Sequence, residues 1–334
     1  MNGSPDSTQN RILIAGCGAI GSVFGGFLHL AGSRVTLLGR PTHMAAVAKN
    51  GLLLDGLWGA HHAAGMETVA DPARLSGRFD WILLTVKCPD TTPMAQAVAP
   101  LLAPHGQMVS LQNGLGNLEQ VAQAAGTGRA AGARVIFGAE IPAPGRVTVT
   151  VCAAPVRIGS PGTTAHPPLE AGLRRLLHLL ERTPIPCEWS DDLTADLWAK
   201  ALYNAALNPL GATLGATYGE LAAQAHTRSI MDRVLEEAFR VAEAAEVRLP
   251  WPDAAGYREH FYRDLVPPTA RHRSSMLQDL ERGRRTEIDA INGYLVAEGA
   301  RRHVPTPVNM TLTGLVRYLE ARNRAGTHRR ARGE

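Results

Sequence analysis

The sequence is poor in cysteine and in aromatic residues. Its 334 residues include four cysteines, no two of which form a C-x-x-C motif, and aromatic residues make up 5%. Scattered cysteines argue against a disulfide scaffold and a structural zinc site, and they fit a reducing compartment. Basic segments interleaved with aromatic residues are also missing, so nucleic-acid binding is not indicated. We expect each cysteine to be a small buried apolar residue: Cys17, Cys88, Cys152 and Cys187.

Lysine is scarcer still. Of the 34 basic residues only Lys49, Lys87 and Lys200 are lysines, which leaves 31 arginines. An ammonium can release its proton near neutral pH, whereas a guanidinium cannot. In a chain that otherwise uses arginine for positive charge, each lysine is therefore a candidate functional residue.

Targeting signals and membrane segments are also missing. The run Ile12–Leu28 is apolar, but it is short for a membrane span and its glycines have another explanation. We therefore expect a soluble, cytoplasmic protein with no membrane, nucleic-acid or metal partner. Residues 1–10 and the arginine-rich residues 324–334 are expected to be disordered. The formal net charge of +4 then reflects largely a solvated tail, with weak attraction of anions as the alternative.

The character of the chain changes near residue 190. Before it, short apolar strands alternate with helix-compatible segments, which indicates βαβ units and a parallel sheet. After it, strand signals nearly vanish. We predict an α/β fold with a doubly wound sheet over 11–190 and an all-α substrate and catalytic domain over 191–323. Strands are expected at 11–15, 34–38, 80–86, 107–111, 133–137 and 146–158, the last two as an antiparallel extension of the sheet. Helices are expected at 19–30, 92–102, 192–209, 218–226, 228–245, 269–282, 286–302 and 308–323.

A glycine-rich loop joins the first strand to the first helix. Its sequence is Gly16-Cys17-Gly18-Ala19-Ile20-Gly21, which matches G-x-G-x-x-G. The first glycine permits a tight turn, the second lets the backbone approach a pyrophosphate, and the third allows close packing of helix on strand. This predicts a Rossmann-type dinucleotide-binding domain, with phosphates at the helix N-terminus. A tight turn without a ligand is the alternative.

The end of the second strand distinguishes the two nicotinamide dinucleotides. A carboxylate there would bind the ribose 2′-hydroxyl of NAD, whereas an arginine accommodates the 2′-phosphate of NADP. This chain has Gly39-Arg40 at that place, and the next carboxylate is Asp55. The pattern favours NADPH/NADP+, unless Arg40 is simply a solvated loop residue.

A polar stripe crosses the first helix of the second half. Lys200, Asn204 and Asn208 follow one another at intervals of four residues, so they share one face of a helix. Alanine and leucine surround them, which is typical of a polar lining in a cleft. A solvated helix face is the alternative.

Six segments in this order resemble the ketopantoate reductase (2-dehydropantoate 2-reductase) family over residues 11–320. The last two of them are much more specific than the glycine loop. The segments are the glycine loop, Val86-Lys87, residues 112–117 (QNGLGN), the Lys200/Asn204/Asn208-Pro209 helix, residues 274–279 (SSMLQD) and residues 286–293 (TEIDAING).

The resemblance implies NADPH-dependent reduction of 2-dehydropantoate, a branched 2-oxo acid, to pantoate in pantothenate and coenzyme A biosynthesis. It makes Lys200 the general acid, and it places Glu287 where substrate and nicotinamide meet. An ammonium suits this role because it stabilises charge on the ketone oxygen and supplies the proton. The remaining matches are Asn204, Asn208 and Ser275 on the substrate side, and Arg40, Lys87 and Asn113 on the cofactor side.

Two residues depart from the family pattern. Tyr218 stands where some members carry asparagine, and Glu140 stands where a neutral residue is expected. Glu140 either faces solvent or changes the acceptor. Without the resemblance, the alternative for Glu287 is a surface ion pair with Arg284 or Arg285.

Two other functions stay open at this point. A related NADP-dependent reductase would act on a different 2-oxo or 3-hydroxy acid. A non-catalytic NADP(H) sensor would keep the glycine loop but would have no need for the stripe or Glu287. Apolar faces on the C-terminal helices would permit a homodimer.

Overall fold

The computed structural model describes residues 10–161 and 166–331 of the chain. The chain divides into two compact units, Met1–Gln112 with Asn117–Leu193 and Asn113–Gly116 with Thr194–Glu334. The second unit thus starts three residues after the predicted start at 191, and it includes a short segment of the first half that was not predicted. Of the segment 1–10, expected to be disordered, all but Asn10 lies outside the described residues.

The first unit alternates strands and helices as predicted. Its strands are β1 (Arg11–Ala15), β2 (Arg34–Leu38), β3 (Leu52–Gly56), β4 (His61–Ala63), β5 (Glu67–Val69), β6 (Phe79–Leu84), β7 (Leu102–Ser110), β8 (Ala130–Arg134), β9 (Phe137–Ala143), β10 (Arg146–Cys152), β11 (Val156–Gly159) and β12 (Cys187–Trp189). Its helices are α1 (Ala19–Leu30), α2 (Pro41–Asn50), α3 (Thr91–Val98), α4 (Asn117–Ala125) and α5 (Pro167–Leu180).

An eight-stranded sheet organises this unit, in the order β12-β11-β8-β7-β6-β1-β2-β5. Strand β1 is buried on both faces, and its side chains alternate between two cores. Ile12 and Ile14 pack with residues of α1 and α5, whereas Leu13 and Ala15 pack with residues of α3 and α4. Helices on both faces are what a buried parallel sheet requires. The predicted N-terminal Rossmann-type doubly wound sheet followed by an all-α region is confirmed.

The predicted antiparallel extension is only partly correct. Strand β11 does extend the main sheet, antiparallel to β8. Strands β9 and β10 instead join β3 and β4 in a separate four-stranded sheet, in the order β4-β3-β10-β9. The predicted strand 133–137 therefore covers the end of β8 and the first residue of β9. The predicted strand 146–158 covers all of β10 and the start of β11. The cause is that β10 pairs in parallel with β3, a partner far away along the chain.

The second unit is helical. Its helices are α6 (Leu193–Leu214), α7 (Tyr218–Ala223), α8 (Ala225–Ala244), α9 (Ala254–His260), α10 (Ser275–Glu281), α11 (Asn292–Arg301) and α12 (Pro307–Ala331). A π-helical turn, Phe261–Leu265, follows α9. Leu115 lies in the apolar core of this unit, which explains why Asn113–Gly116 belongs to it. Among the described helices, none combines the length and the apolarity that crossing a membrane requires.

Helix ends differ from the predicted ones for local reasons. Helix α6 does not stop at Pro209 but continues to Leu214. Helices α10 and α11 start later than predicted, since residues 270–274 and 286–291 form loops and a short 3-10 turn. Helix α12 continues to Ala331, so residues 324–331 are helical rather than a disordered tail, and 332–334 lie outside the described residues.

A buried polar network compensates for the proline inside α6. Proline has no N–H, so the carbonyl of Ala205 lacks its helical partner. The side chain of Asn292 donates to that carbonyl at 3.1 Å and to Asn309 Oδ1 at 2.9 Å. Asn309 in turn donates to Glu237 Oε2 at 2.8 Å. The network ties α6, α8, α11 and α12 together, with Asn292 acting through its Nδ2.

This compensation predicts a coupling between two substitutions. Asn292→Ala should lower the free energy of unfolding by about 2–4 kcal/mol, because it leaves two buried acceptors unpaired. Pro209→Ala restores an N–H that can reach the Ala205 carbonyl. In that background the cost of Asn292→Ala should fall by about 1 kcal/mol. Urea unfolding followed by far-UV circular dichroism measures all four proteins.

A control comes from Asn323, whose side chain donates to the carbonyl of Leu280 elsewhere in the unit. The cost of Asn323→Ala should be the same with and without Pro209→Ala. If the changes in unfolding free energy caused by Asn292→Ala and Pro209→Ala are strictly additive, Asn292 does not compensate for the N–H that the proline lacks.

Candidate active site

The glycine loop lies at the topological switch point of the main sheet. From β1 the chain moves to β2 on one side, and later returns to β6 on the other side of β1. In open α/β sheets, ligands bind outside the carboxyl ends of the strands at this point. The loop Gly16–Gly21 follows the carboxyl end of β1, and Lys87 follows that of β6.

The three glycines of the loop have different steric surroundings. Gly16 has a φ of +106°, and a Cβ there would lie 2.5 Å from the Val86 nitrogen. A Cβ on Gly21 would lie 2.6 Å from Thr85 Oγ1. A Cβ on Gly18 would meet only the Gly16 carbonyl, at 3.8 Å. The first and third glycines are thus required by the fold itself, whereas the second leaves open space that suits a pyrophosphate.

Helix α1 begins in this open space. The first helical hydrogen bond runs from the Ser22 nitrogen to the Gly18 oxygen at 2.8 Å. The N–H groups of Ala19, Ile20 and Gly21 therefore precede the helical ladder. The first turn contains no acidic residue that would repel an anion. These features fit the phosphates of a dinucleotide.

Two cationic residues follow β2 and β6, the strands that flank β1 on its two sides in the main sheet. Arg40 is exposed, follows β2 and occupies the N-cap position of α2 without a side-chain capping hydrogen bond. Lys87 is exposed and occupies the same position before a 3-10 turn, Cys88–Asp90. Their places match the predicted cofactor-side positions, and their roles stay predictions.

A neutral hydrogen-bonded network, which the sequence did not predict, backs the loop. The Gly145 N–H donates to His43 Nδ1 at 3.0 Å, so His43 Nε2 carries the proton. That nitrogen lies 3.0 Å from Ser22 Oγ, which lies 3.3 Å from Cys17 Sγ. Burial, with the nearby Arg40 charge, lowers the pKa of His43. Burial raises the pKa of the Cys17 thiol to about 12. Both groups stay neutral near neutral pH.

The polar stripe of α6 lies in the second unit. Lys200 and Asn204 are half-buried, and Asn208 is only 4% exposed. This burial argues against a solvated helix face. No hydrogen bond links the Asn204 side chain to another of the described residues, whereas Asn208 Oδ1 accepts one from Tyr218 Oη at 2.6 Å.

One amide links the two candidate catalytic residues. Lys200 Nζ donates to Asn113 Oδ1 at 2.5 Å, and Asn113 Nδ2 donates to Glu287 Oε2 at 3.0 Å. Glu287 is 7% exposed, which argues against a surface ion pair. The sequence assigned Asn113 to the cofactor side. The structure brings its side chain to Lys200 and Glu287, in the second unit.

The remaining predicted positions are placed as follows. Ser275 is exposed at the start of α10, and the preceding Ser274 is buried and caps that helix through the Leu277 N–H. Ser274 Oγ also donates to the Asn208 carbonyl at 3.3 Å, so the start of α10 lies beside Asn208. Glu140 is exposed on β9, in the first unit.

The fold and these side chains define an NAD(P)-dependent oxidoreductase. A family model described as ketopantoate reductase PanE/ApbA matches residues 12–162, and the model of its C-terminal part matches residues 192–320. The 2-dehydropantoate 2-reductase of Aquifex aeolicus is 35% identical, over 94% of this chain and 98% of that protein. The chain therefore belongs to the ketopantoate reductase family.

Solved structures agree with this assignment. A PanE/ApbA family ketopantoate reductase from Ralstonia eutropha is 33% identical with a TM-score of 0.81, covering 94% of this chain and 99% of that one. A ternary structure of D-mandelate dehydrogenase with NADH and anilino(oxo)acetate is 26% identical with a TM-score of 0.83, at the same coverage. The structural relatives thus include enzymes with different named substrates.

The glycine geometry predicts a separation of folding from binding. Gly18→Ala should leave the thermal unfolding temperature nearly unchanged but weaken NADPH binding at least about tenfold, because its methyl group enters the phosphate space. Gly21→Ala should lower the unfolding temperature, since its Cβ would collide with Thr85 and Ile14. Fluorescence titration with NADPH and thermal scans without ligand measure the two effects.

Gly128 supplies the matched control, because a Cβ there has no neighbour within 4 Å. Gly128→Ala should change neither property. Wild-type affinity in Gly18→Ala would remove the loop from the proposed dinucleotide site.

Proposed function

We propose that this protein reduces 2-dehydropantoate to pantoate with NADPH, in the route to pantothenate and coenzyme A. The observation that carries the proposal is the linked set Lys200–Asn113–Glu287, with an Nζ–Oδ1 distance of 2.5 Å. The names of the curated relatives, 2-dehydropantoate 2-reductase, support the choice of substrate.

Lys200 is the proposed general acid. Reduction of the ketone places negative charge on its oxygen, and the ammonium stabilises that charge and transfers a proton to it. The product is the 2-hydroxy acid, and the neutral amine regains a proton from solvent. The amide oxygen of Asn113 accepts an N–H of the ammonium and so fixes its direction.

Glu287 acts on Lys200 through Asn113. A carboxylate that accepts the Asn113 N–H holds the amide with its oxygen toward the ammonium. Asn204, Asn208 and Ser275 are the proposed substrate-binding groups. All three side chains can donate hydrogen bonds to the oxygens of a 2-oxo acid.

The first unit supplies the proposed cofactor site. The loop Gly16–Gly21 would hold the pyrophosphate, Arg40 the 2′-phosphate, and Lys87 would add positive charge on the same side. When bound, the reduced nicotinamide supplies the hydride that the ketone carbon receives. No carboxylate follows β2 to favour the unphosphorylated ribose.

A second candidate is a paralogous reductase acting on a different 2-oxo acid. The observation in its favour is Tyr218, which donates a hydrogen bond to the side-chain oxygen Oδ1 of Asn208 and so changes a proposed substrate group. The structural relative D-mandelate dehydrogenase is named for a substrate other than 2-dehydropantoate. Comparing turnover of 2-dehydropantoate with that of other branched and aromatic 2-oxo acids decides between the two.

The role of Lys200 predicts a selective loss of turnover. Lys200→Ala should lower kcat by at least about a hundredfold, because proton donation and charge stabilisation are both lost. The dissociation constant for NADPH should stay within about twofold of the wild-type value. Lys200→Arg should restore little activity, since a guanidinium does not give up its proton. NADPH oxidation, followed by absorbance, measures turnover.

Lys49 provides the control, because it is exposed on α2. Lys49→Ala should retain full activity. Turnover by Lys200→Ala within a few-fold of wild type would refute the proposed acid. A wild type that binds NADPH tightly but reduces none of the 2-oxo acids compared would instead point to the sensor.

The role of Arg40 predicts a change in cofactor preference. Arg40→Ala should raise the KM for NADPH by about tenfold or more and leave that for NADH nearly unchanged, because only NADPH carries the 2′-phosphate. Arg34, exposed at the opposite end of β2, is the matched control. If Arg40→Ala changes the KM for NADPH and the KM for NADH equally, Arg40 does not bind the 2′-phosphate and is a solvated loop residue.

A further inference from the structure

The two asparagines of the stripe differ in what their side chains contact. Asn208 Oδ1 accepts a hydrogen bond from Tyr218 Oη at 2.6 Å. Its Nδ2 has no hydrogen-bond partner among the described residues, although the residue is 4% exposed. Nδ2 is not one of the fully buried polar atoms without a partner, so it is accessible, and a ligand there can supply an acceptor. Asn208 therefore presents only the donor half of its amide.

Several contacts fix the Tyr218 side chain. It starts α7, which Thr217 and Glu220 cap reciprocally. The Tyr218 N–H donates to the His272 carbonyl at 3.1 Å. The Tyr218 ring packs edge-on against the Tyr203 ring, with 5.8 Å between the ring centroids. Burial raises the pKa of the Tyr218 phenol, so the group stays protonated and available as a donor.

The backbone of Asn208 is held as well. Its backbone carbonyl accepts a hydrogen bond from the Oγ of Ser274, and Ser274 is the residue that caps α10. With the main chain fixed on one side and Oδ1 on the other, turning the amide over would replace Oδ1 by a donor. The Tyr218 O–H would then lose the one acceptor that the described residues offer it. A turned amide would present Oδ1, and an oxygen there would repel the oxygens of an anionic substrate.

We propose that Tyr218 is a specificity-determining positioning residue: it commits Asn208 to donate, so that this position of the site selects an accepting oxygen of the substrate. The inference rests on the proposed function, in which the substrate is a 2-oxo acid. That oxygen belongs either to the oxo-acid end or to the C4 hydroxyl of 2-dehydropantoate. Both sources offer the same acceptor chemistry.

Tyr218→Phe tests the inference, because it keeps the ring and removes only the hydroxyl. We expect the KM for 2-dehydropantoate and the dissociation constant for pantoate, titrated calorimetrically with NADP+ present, to rise about 5- to 30-fold. The kcat value and the NADPH dissociation constant should change less than about twofold. A loss confined to kcat, or unchanged binding of pantoate, would overturn the proposal.

Tyr203→Phe is the matched control. Tyr203 Oη contacts Thr269 Oγ1 at 2.6 Å and belongs to the same aromatic cluster, but no hydrogen bond links it to Asn208. Its KM should stay within twofold of wild type. An equal rise in both variants would identify a general packing effect and would overturn the proposal.

A double-mutant cycle tests whether Tyr218 acts through Asn208. Adding Tyr218→Phe to Asn208→Ala should not raise the KM further. An additional rise of the single-variant size would overturn the proposal. With 3,3-dimethyl-2-oxobutanoate, which lacks the C4 hydroxyl, an equal loss in Tyr218→Phe assigns the oxo-acid end and a smaller loss assigns the C4 hydroxyl.

Failure of this inference is distinguishable from failure of the proposed function. If the wild type reduces no 2-oxo acid, the proposed function is wrong. If the wild type is active and Tyr218→Phe binds pantoate as the wild type does, only the inference is wrong.

Discussion

The arrangement of the candidate catalytic side chains depends on one neutral amide, which lies between an ammonium and a carboxylate. Asn113 can accept only with its oxygen and donate only with its nitrogen, so the order Lys200, Asn113, Glu287 follows from hydrogen-bond chemistry. Asn113 lies 87 residues before Lys200 in the sequence. It is held in place by Leu115, which is buried in the helical core and donates its N–H to the Ala290 carbonyl at 2.7 Å. The direction of the lysine is thus set by a four-residue segment that packs as part of the unit.

Helix α6 must satisfy two requirements that conflict locally. The stripe needs regular helical spacing from Lys200 to Asn208, but Pro209 removes the N–H that would complete the ladder at Ala205. Asn292 donates a hydrogen bond to that carbonyl from outside the helix, and its side chain also donates to Asn309 Oδ1. Because a buried carbonyl left unpaired is costly, these side chains offset the loss that the proline causes in the helix. The site therefore rests on a polar network that touches no proposed substrate group.

The sequence predicts best where the signal is local. Strands β1 and β2 and helix α1 were predicted to the residue, because glycines end each apolar run. The small sheet was missed, since Leu53 of β3 pairs with Arg146 of β10 and this partnership has no local signal. The same distinction holds in the site. Spacing along one helix brought out Lys200 and both asparagines, whereas the contacts of Asn113 and His43 depend on groups distant in sequence.

Burial gives a physical reason why the proposed recognition and the proposed proton transfer fall to different side chains. A charged group as buried as Asn208 would lose several kcal/mol of hydration, which only a close counter-charge could offset. A neutral amide needs only a partner for its oxygen, and Tyr218 supplies one. The charge instead sits on the half-buried Lys200, with Glu287 one amide away. The residues proposed to carry the chemistry match the family pattern, while Tyr218, which is proposed to orient a neutral neighbour, does not. On this proposal, substrate preference can change when the residue that orients the Asn208 amide changes. Lys200 and the glycine loop can then stay as they are.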